Sequence, residues 1–245
     1  MRPVCRGPSP QAADFDPYDD AKPYLVGRIG LYCSYCERRV VTQLAVEHIQ
    51  PKKGRHGHPD LIGRWNNYLL ACVNCNSAKG DKHVVLADLL LPDRDNTFAA
   101  FDYLPDGTIR PAAGLTQPLI DIANYTLALT GLDKPIQEAI DENGKLVAID
   151  RVSQRMEAWA IAAVAKSDVD AHAGNPAVRR LAVEIAKGYG FFSIWMNVFT
   201  DDADMRHRLI DAFEGTHGSG CFDAETAQPI SPAPNPDNLA HGAKL

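Results

Sequence analysis

No run of apolar residues in this chain approaches the ~20 needed to cross a bilayer. The opening Met-Arg-Pro-Val-Cys-Arg-Gly-Pro-Ser-Pro also lacks the apolar stretch of a secretory signal. These absences argue against a membrane protein and make the cytoplasm the expected location. No Gly-x-x-x-x-Gly-Lys-Ser/Thr sequence occurs, so a P-loop for nucleotide phosphates is excluded. Positive charge is not in excess either: 25 Lys and Arg against 31 Asp and Glu leave a net charge of −6. Phosphate binding is dominated by Lys and Arg, so indiscriminate coating of nucleic acid is not expected. Cysteine is scarce, with 6 in 245 residues.

The 45 % hydrophobic content is that of an ordinary globular protein with a sizeable core. The few cysteines are ordered. Cys33/Cys36 and Cys72/Cys75 form two Cys-x-x-Cys pairs, while Cys5 and Cys221 stand alone. In a reducing compartment such pairs bind metal more often than they form structural disulfides. Four thiolates suit tetrahedral structural zinc, which can supply about 10–16 kcal/mol of folding free energy. Between the pairs lie Glu47-His48 and Asn67, and Asn76 follows Cys75 directly. A carboxylate and an amide oxygen are hard ligands for Mg²⁺ or Mn²⁺, and a histidine beside them can act as general base on water. Basic residues gather in the same stretch: Lys52, Lys53, Arg55, Arg64, Lys79 and Lys82. Together these are the parts needed to hydrolyse a phosphodiester.

Glu47-His48, Asn67 and Asn76 resemble the motif of the HNH endonucleases, with Asn76 in place of the final histidine. The spacing favours Asn67 over its neighbour Asn66. The resemblance implies His48 as general base, Glu47 and Asn76 as ligands of the catalytic ion, and Asn67 pinning the ββα-metal loop. Lys52, Lys53, Arg55, Lys79 and Lys82 become candidate nucleic-acid contacts. His56 and His58 are read with the substrate loop, a zinc role being the rival assignment. Met-Arg-Pro-Val-Cys-Arg-Gly-Pro, Pro-Asp-Arg-Asp-Asn-Thr-Phe (92–98) and Phe-Glu-Gly-Thr-His-Gly-Ser-Gly-Cys-Phe-Asp (213–223) look like one subfamily, the HNH subunit of Septu-type and some retron anti-phage systems. That likeness implies an ABC-like ATPase as partner and DNA as substrate, with RNA such as tRNA the alternative. A non-catalytic zinc module for binding or assembly is the reading from another class.

The expected fold is α+β. Residues 1–24 read as an extended arm, 25–95 as a zinc-stapled nuclease core, 96–222 as a hairpin and helical domain, and 223–245 as a disordered tail. Within the core, Val40–Ile49 reads as a strand pair or strand end, and Ser77–Leu91 as helical. Asp-Gly at 106–107 signals a hairpin turn. Beyond it, Thr116, Ser153 and Asn175-Pro176 read as helix starts, and a last helix spans about Ala203–Phe213. Phe191-Phe192 and Trp195-Met196 are adjacent pairs, and neighbouring helix positions point about 100° apart. Some of these side chains are therefore expected at the surface, where they would dock the ATPase.

Overall fold

The computed structural model describes residues 1–136, 142, 144 and 150–245. The first helix, α1 (Lys22–Ile29), follows a 3₁₀ turn at Tyr18–Ala21, and Pro23 sits in its first turn, where a missing N–H costs nothing. Strand β1 (Ala45–His48) pairs antiparallel with β2 (Tyr68–Ala71), His48 opposite Tyr68 and Glu47 opposite Leu69. Helix α2 (Val73–Lys79) follows at once, so the centre of the chain is a ββα unit. The strand expected within Val40–Ile49 is thus only Ala45–His48, and its partner comes from the next apolar run. The expected helix over Ser77–Leu91 is corrected too: α2 begins earlier and stops at Gly80, whose φ of 54° ends the helical backbone.

Strand β2 is buried at all four positions because both its faces are covered. Tyr68 and Leu70 belong to an apolar cluster with Val4, Phe15, Leu25, Ile29 and Trp65, while Leu69 and Ala71 belong to the larger core. An unbroken Tyr-Leu-Leu-Ala run is what such a doubly covered strand requires.

After a short helix α3 (Thr97–Ala100), β3 (Phe101–Tyr103) and β4 (Ile109–Pro111) make the hairpin signalled by Asp106-Gly107. Among the described residues the helices α4 (Gln117–Thr130), α5 (Arg151–Ala171), α6 (Pro176–Tyr189), α7 (Phe192–Val198) and α8 (Ala203–Ala212) follow. Asn175 caps α6 by accepting the Ala177 N–H. The cap of α5 is Asp150, which accepts the Ser153 N–H at 2.8 Å, so the helix starts before Ser153. Part of the unit expected at 96–222 lies outside the described residues.

Two expectations fail on packing. Phe191, Phe192, Trp195, Met196 and Phe199 are all buried, because α7 is enclosed between α5, α8 and β3 rather than lying on the surface. A short helix surrounded on every side buries adjacent positions without needing a single stripe. Residues 223–245 are not a loose tail. Ala243 N–H donates to the Arg94 carbonyl at 2.9 Å, Lys244 pairs with the buried Asp95 at 3.1 Å, and Ala227 is fully buried. Composition alone did not reveal this anchor. The extended arm is likewise packed, with Arg2 and Arg6 buried in the interior.

Candidate active site and metal centre

The two Cys-x-x-Cys pairs converge. The Sγ atoms of Cys33, Cys36, Cys72 and Cys75 lie within 4.8 Å of one another, and all four residues are buried. The first pair sits in a tight turn in which Cys33 N–H donates to Arg38 O and Glu37 N–H to Cys33 O. Cys72 is the N-cap residue of α2, and Cys75 lies in its first turn. Hydrogen bonds from Cys33, Cys36 and Cys75 pull the Cys72 thiol down, whereas hydrogen bonding with Cys33, Cys72 and Cys75 pushes Cys36 well up. Four thiols packed this closely cannot all ionise unaided, because each thiolate repels the next. A divalent cation offsets that repulsion, and the sulphur donor set fits zinc. His56 and His58 belong to no such cluster among the described residues.

The turn holding Cys33 and Cys36 is seated on the helices. Phe191 N–H donates to Glu37 O at 2.9 Å, and Gly190, with φ of 79°, lies so close that a Cβ there would meet that oxygen at 2.5 Å. From α5, Arg151 donates to Cys75 Sγ at 3.2 Å. The thiol cluster therefore joins the ββα unit to the helical part.

Glu47, His48, Lys52, Lys53, Asn76 and Lys79 line one cleft of about 190 Å³, with Pro51 and Asp81 on its rim. Successive β1 residues point to opposite faces, yet Val46, Glu47 and His48 all reach it. The cleft thus runs along the open edge of β1 and across to α2. Arg55 and Lys82 are exposed beyond its lining.

His48 is held by three contacts. Its Nε2 lies 3.0 Å from the Ile62 carbonyl, and its ring meets Tyr18 and Tyr68 edge-on at 4.8 and 5.2 Å. A carbonyl only accepts, so Nε2 carries the proton and Nδ1 keeps its lone pair. Burial lowers the pKa of His48; the Ile62 carbonyl opposes this, and Lys52 and Lys79 add to the lowering. The neutral imidazole is favoured.

Glu47 is nearly fully buried and pairs with Lys79 Nζ at 3.1 Å, while Tyr35 OH donates to it at 3.4 Å. Both contacts fall on Oε1, which leaves Oε2 without a hydrogen bond among the described residues. Burial raises this carboxyl's pKa, and Lys79 counters it. Asn76, half-buried on α2, has no side-chain hydrogen bond among the described residues. An unengaged carboxylate oxygen and an unengaged amide on one cleft are a donor set for a hard divalent ion. Lys79, a candidate phosphate contact by sequence, is engaged within the protein instead. Its ammonium is buried and faces Glu47.

Asn67 is outside the cleft lining and does structural work. Its amide accepts Gln50 N–H at 2.8 Å and donates to Gln50 O at 2.9 Å, closing the long Gln50–Asn67 loop at its base. Sequence reasoning missed the Ile62 carbonyl, Tyr18 and Tyr35. The first is a backbone group, which no motif records, and Tyr18 comes from the arm, where its ring lies 3.6 Å from Lys52 Nζ.

Comparison with known proteins agrees with this geometry. Residues 33–82 match the family model described as HNH endonuclease. A protein of Vibrio cholerae serotype O1 biovar El Tor named "Retron Vc95 putative HNH endonuclease" is 29 % identical over 114 residues. The match takes in 43 % of this chain and 54 % of that protein, so the chain spans about half the length of this curated relative. Both in the segment that matches and in the ββα arrangement of its thiol-bracketed core, this chain resembles the HNH endonucleases.

Proposed function

We propose that this protein is a metal-dependent endonuclease that hydrolyses phosphodiester bonds, with DNA as substrate. It acts in the cytoplasm within a bacterial anti-phage complex beside an ATPase subunit. The observation that carries the reading is the cleft itself, lined by an imidazole, a carboxylate and an amide whose Nδ1, Oε2 and side-chain atoms, respectively, have no hydrogen bond among the described residues. The retron named in the relative supports the defence setting.

His48 takes the proton from an attacking water at Nδ1, while its Nε2–H remains on the Ile62 carbonyl, which fixes the ring's direction throughout. Glu47 and Asn76 would hold a Mg²⁺ or Mn²⁺ ion, which when bound stabilises charge developing at phosphorus and on the leaving oxygen. Lys79 holds Glu47 in place and offsets its buried charge. Lys52 and Lys53, on the cleft wall, meet the substrate's phosphates, with Arg55 and Lys82 extending the basic surface beyond it. Asn67 keeps the loop base closed so that Ile62 stays in reach of His48. Zinc at the four cysteines is structural.

The test is cleavage of DNA and of tRNA by the purified chain, alone and with the co-expressed ATPase, in Mg²⁺ or Mn²⁺. Metal-dependent DNA cutting supports the proposal. Cutting of tRNA alone would replace the substrate, and a folded, zinc-loaded protein that cuts neither in any of these conditions would leave only a binding or assembly role.

A further inference from the structure

The stretches at 1–8, 92–98 and 213–223 stand outside the HNH segment, yet the structure brings them together. Arg2 donates to Glu214 O and to Thr216 Oγ1, at 2.5 and 2.6 Å. Arg6 pairs with Asp93 at 2.8 Å, with both side chains almost wholly buried, and Asp93 also pairs with Arg94 at 3.0 Å. A second-stretch acid thus serves two arginines.

The other side of the Arg6 guanidinium is used differently. Nη1 donates to the carbonyls of Trp65 and Tyr68, the latter at 2.9 Å, and Nη2 lies 3.3 Å from the Asn66 carbonyl. Three carbonyls of one short turn converge on a single rigid fork, which a planar guanidinium can satisfy and a point charge cannot. That turn contains Asn67 and leads into Tyr68, which faces His48 across the sheet. The Tyr68 hydroxyl donates to the Ile62 carbonyl, the same oxygen that accepts from His48 Nε2. One path of contacts therefore runs from Asp93 through Arg6 to the 65–68 turn, then to Ile62 and His48.

We infer that Arg6 is a positioning residue of the active site: braced by Asp93, it fixes the turn at 65–68 and thereby the Ile62 carbonyl that selects the tautomer and direction of His48. The inference rests on His48 being the base of the proposed endonuclease. Arg6 precedes the 33–82 segment, and among the described residues the hydrogen bonds and ion pair of its side chain reach Trp65, Asn66, Tyr68 and Asp93, none of which lines the cleft, so it acts through the turn.

The experiment compares wild type, Arg6→Ala and Arg6→Lys as full-length zinc-loaded protein, with zinc content as the check of fold. Asp93 keeps Arg94 as counter-charge in each, so no carboxylate is stranded. ¹⁵N spectra of the histidine ring nitrogens, assigned with His48→Ala, read the tautomer without any substrate. In wild type His48 shows one Nε2–H tautomer. In Arg6→Ala a mixture is expected, with kcat down by on the order of 10–10²-fold and KM nearly unchanged, as for a misplaced catalytic group; Arg6→Lys recovers part of both. A folded Arg6→Ala with a wild-type His48 spectrum overturns the inference, whether or not activity falls. If Arg6→Ala loses zinc, Arg6→Gln is read by the same criteria. A wild type that cuts nothing, while Arg6→Ala still mixes the tautomers, sinks the endonuclease reading and leaves the positioning role standing.

Discussion

Trp195 is the place where the packing makes its sharpest demand. Its ring is fully buried in α7 and stacks on Phe199, with centroids 6.5 Å apart and planes at 8°. Its indole N–H is buried with no hydrogen-bond partner among the described residues. Trp195→Ala removes the ring from a closed core, for which about 3–5 kcal/mol is typical. Trp195→Phe sets two terms against each other. Loss of part of the ring costs roughly 1–2 kcal/mol at ~0.8 kcal/mol per buried carbon. Relief of the unpaired donor returns roughly 1–3 kcal/mol. The phenylalanine variant should therefore lie between about 1 kcal/mol less stable and about 2 kcal/mol more stable than wild type. Urea unfolding of the zinc-loaded protein measures both. An alanine variant as stable as wild type would mean that α7 is a surface helix after all. A phenylalanine variant as unstable as the alanine one would mean the indole N–H does have a partner.

Other expectations follow from the metal cluster and the buried charges. Cys72→Ser should lose its zinc and fall out of solution, since the thiol cluster joins the ββα unit to α5 and to the α6–α7 junction; elemental analysis of a folded, active preparation that holds no zinc would refute this. Asp93 predicts an acid limb. Burial raises its carboxyl, but Arg94 and Arg6 overcome that and hold its pKa below the usual range. Its contribution to stability is then fully present above the unfolded carboxylate value of ~3.9 and is lost as pH falls below it. Asp93→Asn should be less stable at neutral pH and show a shallower decline into acid than wild type in melting curves between pH 7 and pH 3.

Much of the centre was legible because its chemistry is local. Two Cys-x-x-Cys pairs announce a thiol cluster by spacing, and the cluster forms. Asp-Gly announced a hairpin because few residues suit its turn. Glu47, His48 and Asn76 were readable as a set, and the structure places them on one cleft. What sequence could not show depends on distant contacts. Lys79 reads as a candidate phosphate contact by sequence, and only the ββα packing sets its ammonium against Glu47. The Phe191–Phe199 stretch looked too apolar for one helix face because nothing local says that three elements enclose it. The last twenty or so residues read as disordered from composition, since the Arg94 and Asp95 that hold them lie far back in the chain.

The central claim is that His48, held by the Ile62 carbonyl, is the base for phosphodiester cleavage in the Glu47–Asn76 cleft. The most direct measurement is the single-turnover cleavage rate of His48→Ala against wild type in Mg²⁺, on protein shown to hold equal zinc. The account predicts a loss of ~10²–10⁴-fold with zinc content and melting temperature unchanged. Equal rates for the two proteins would contradict it.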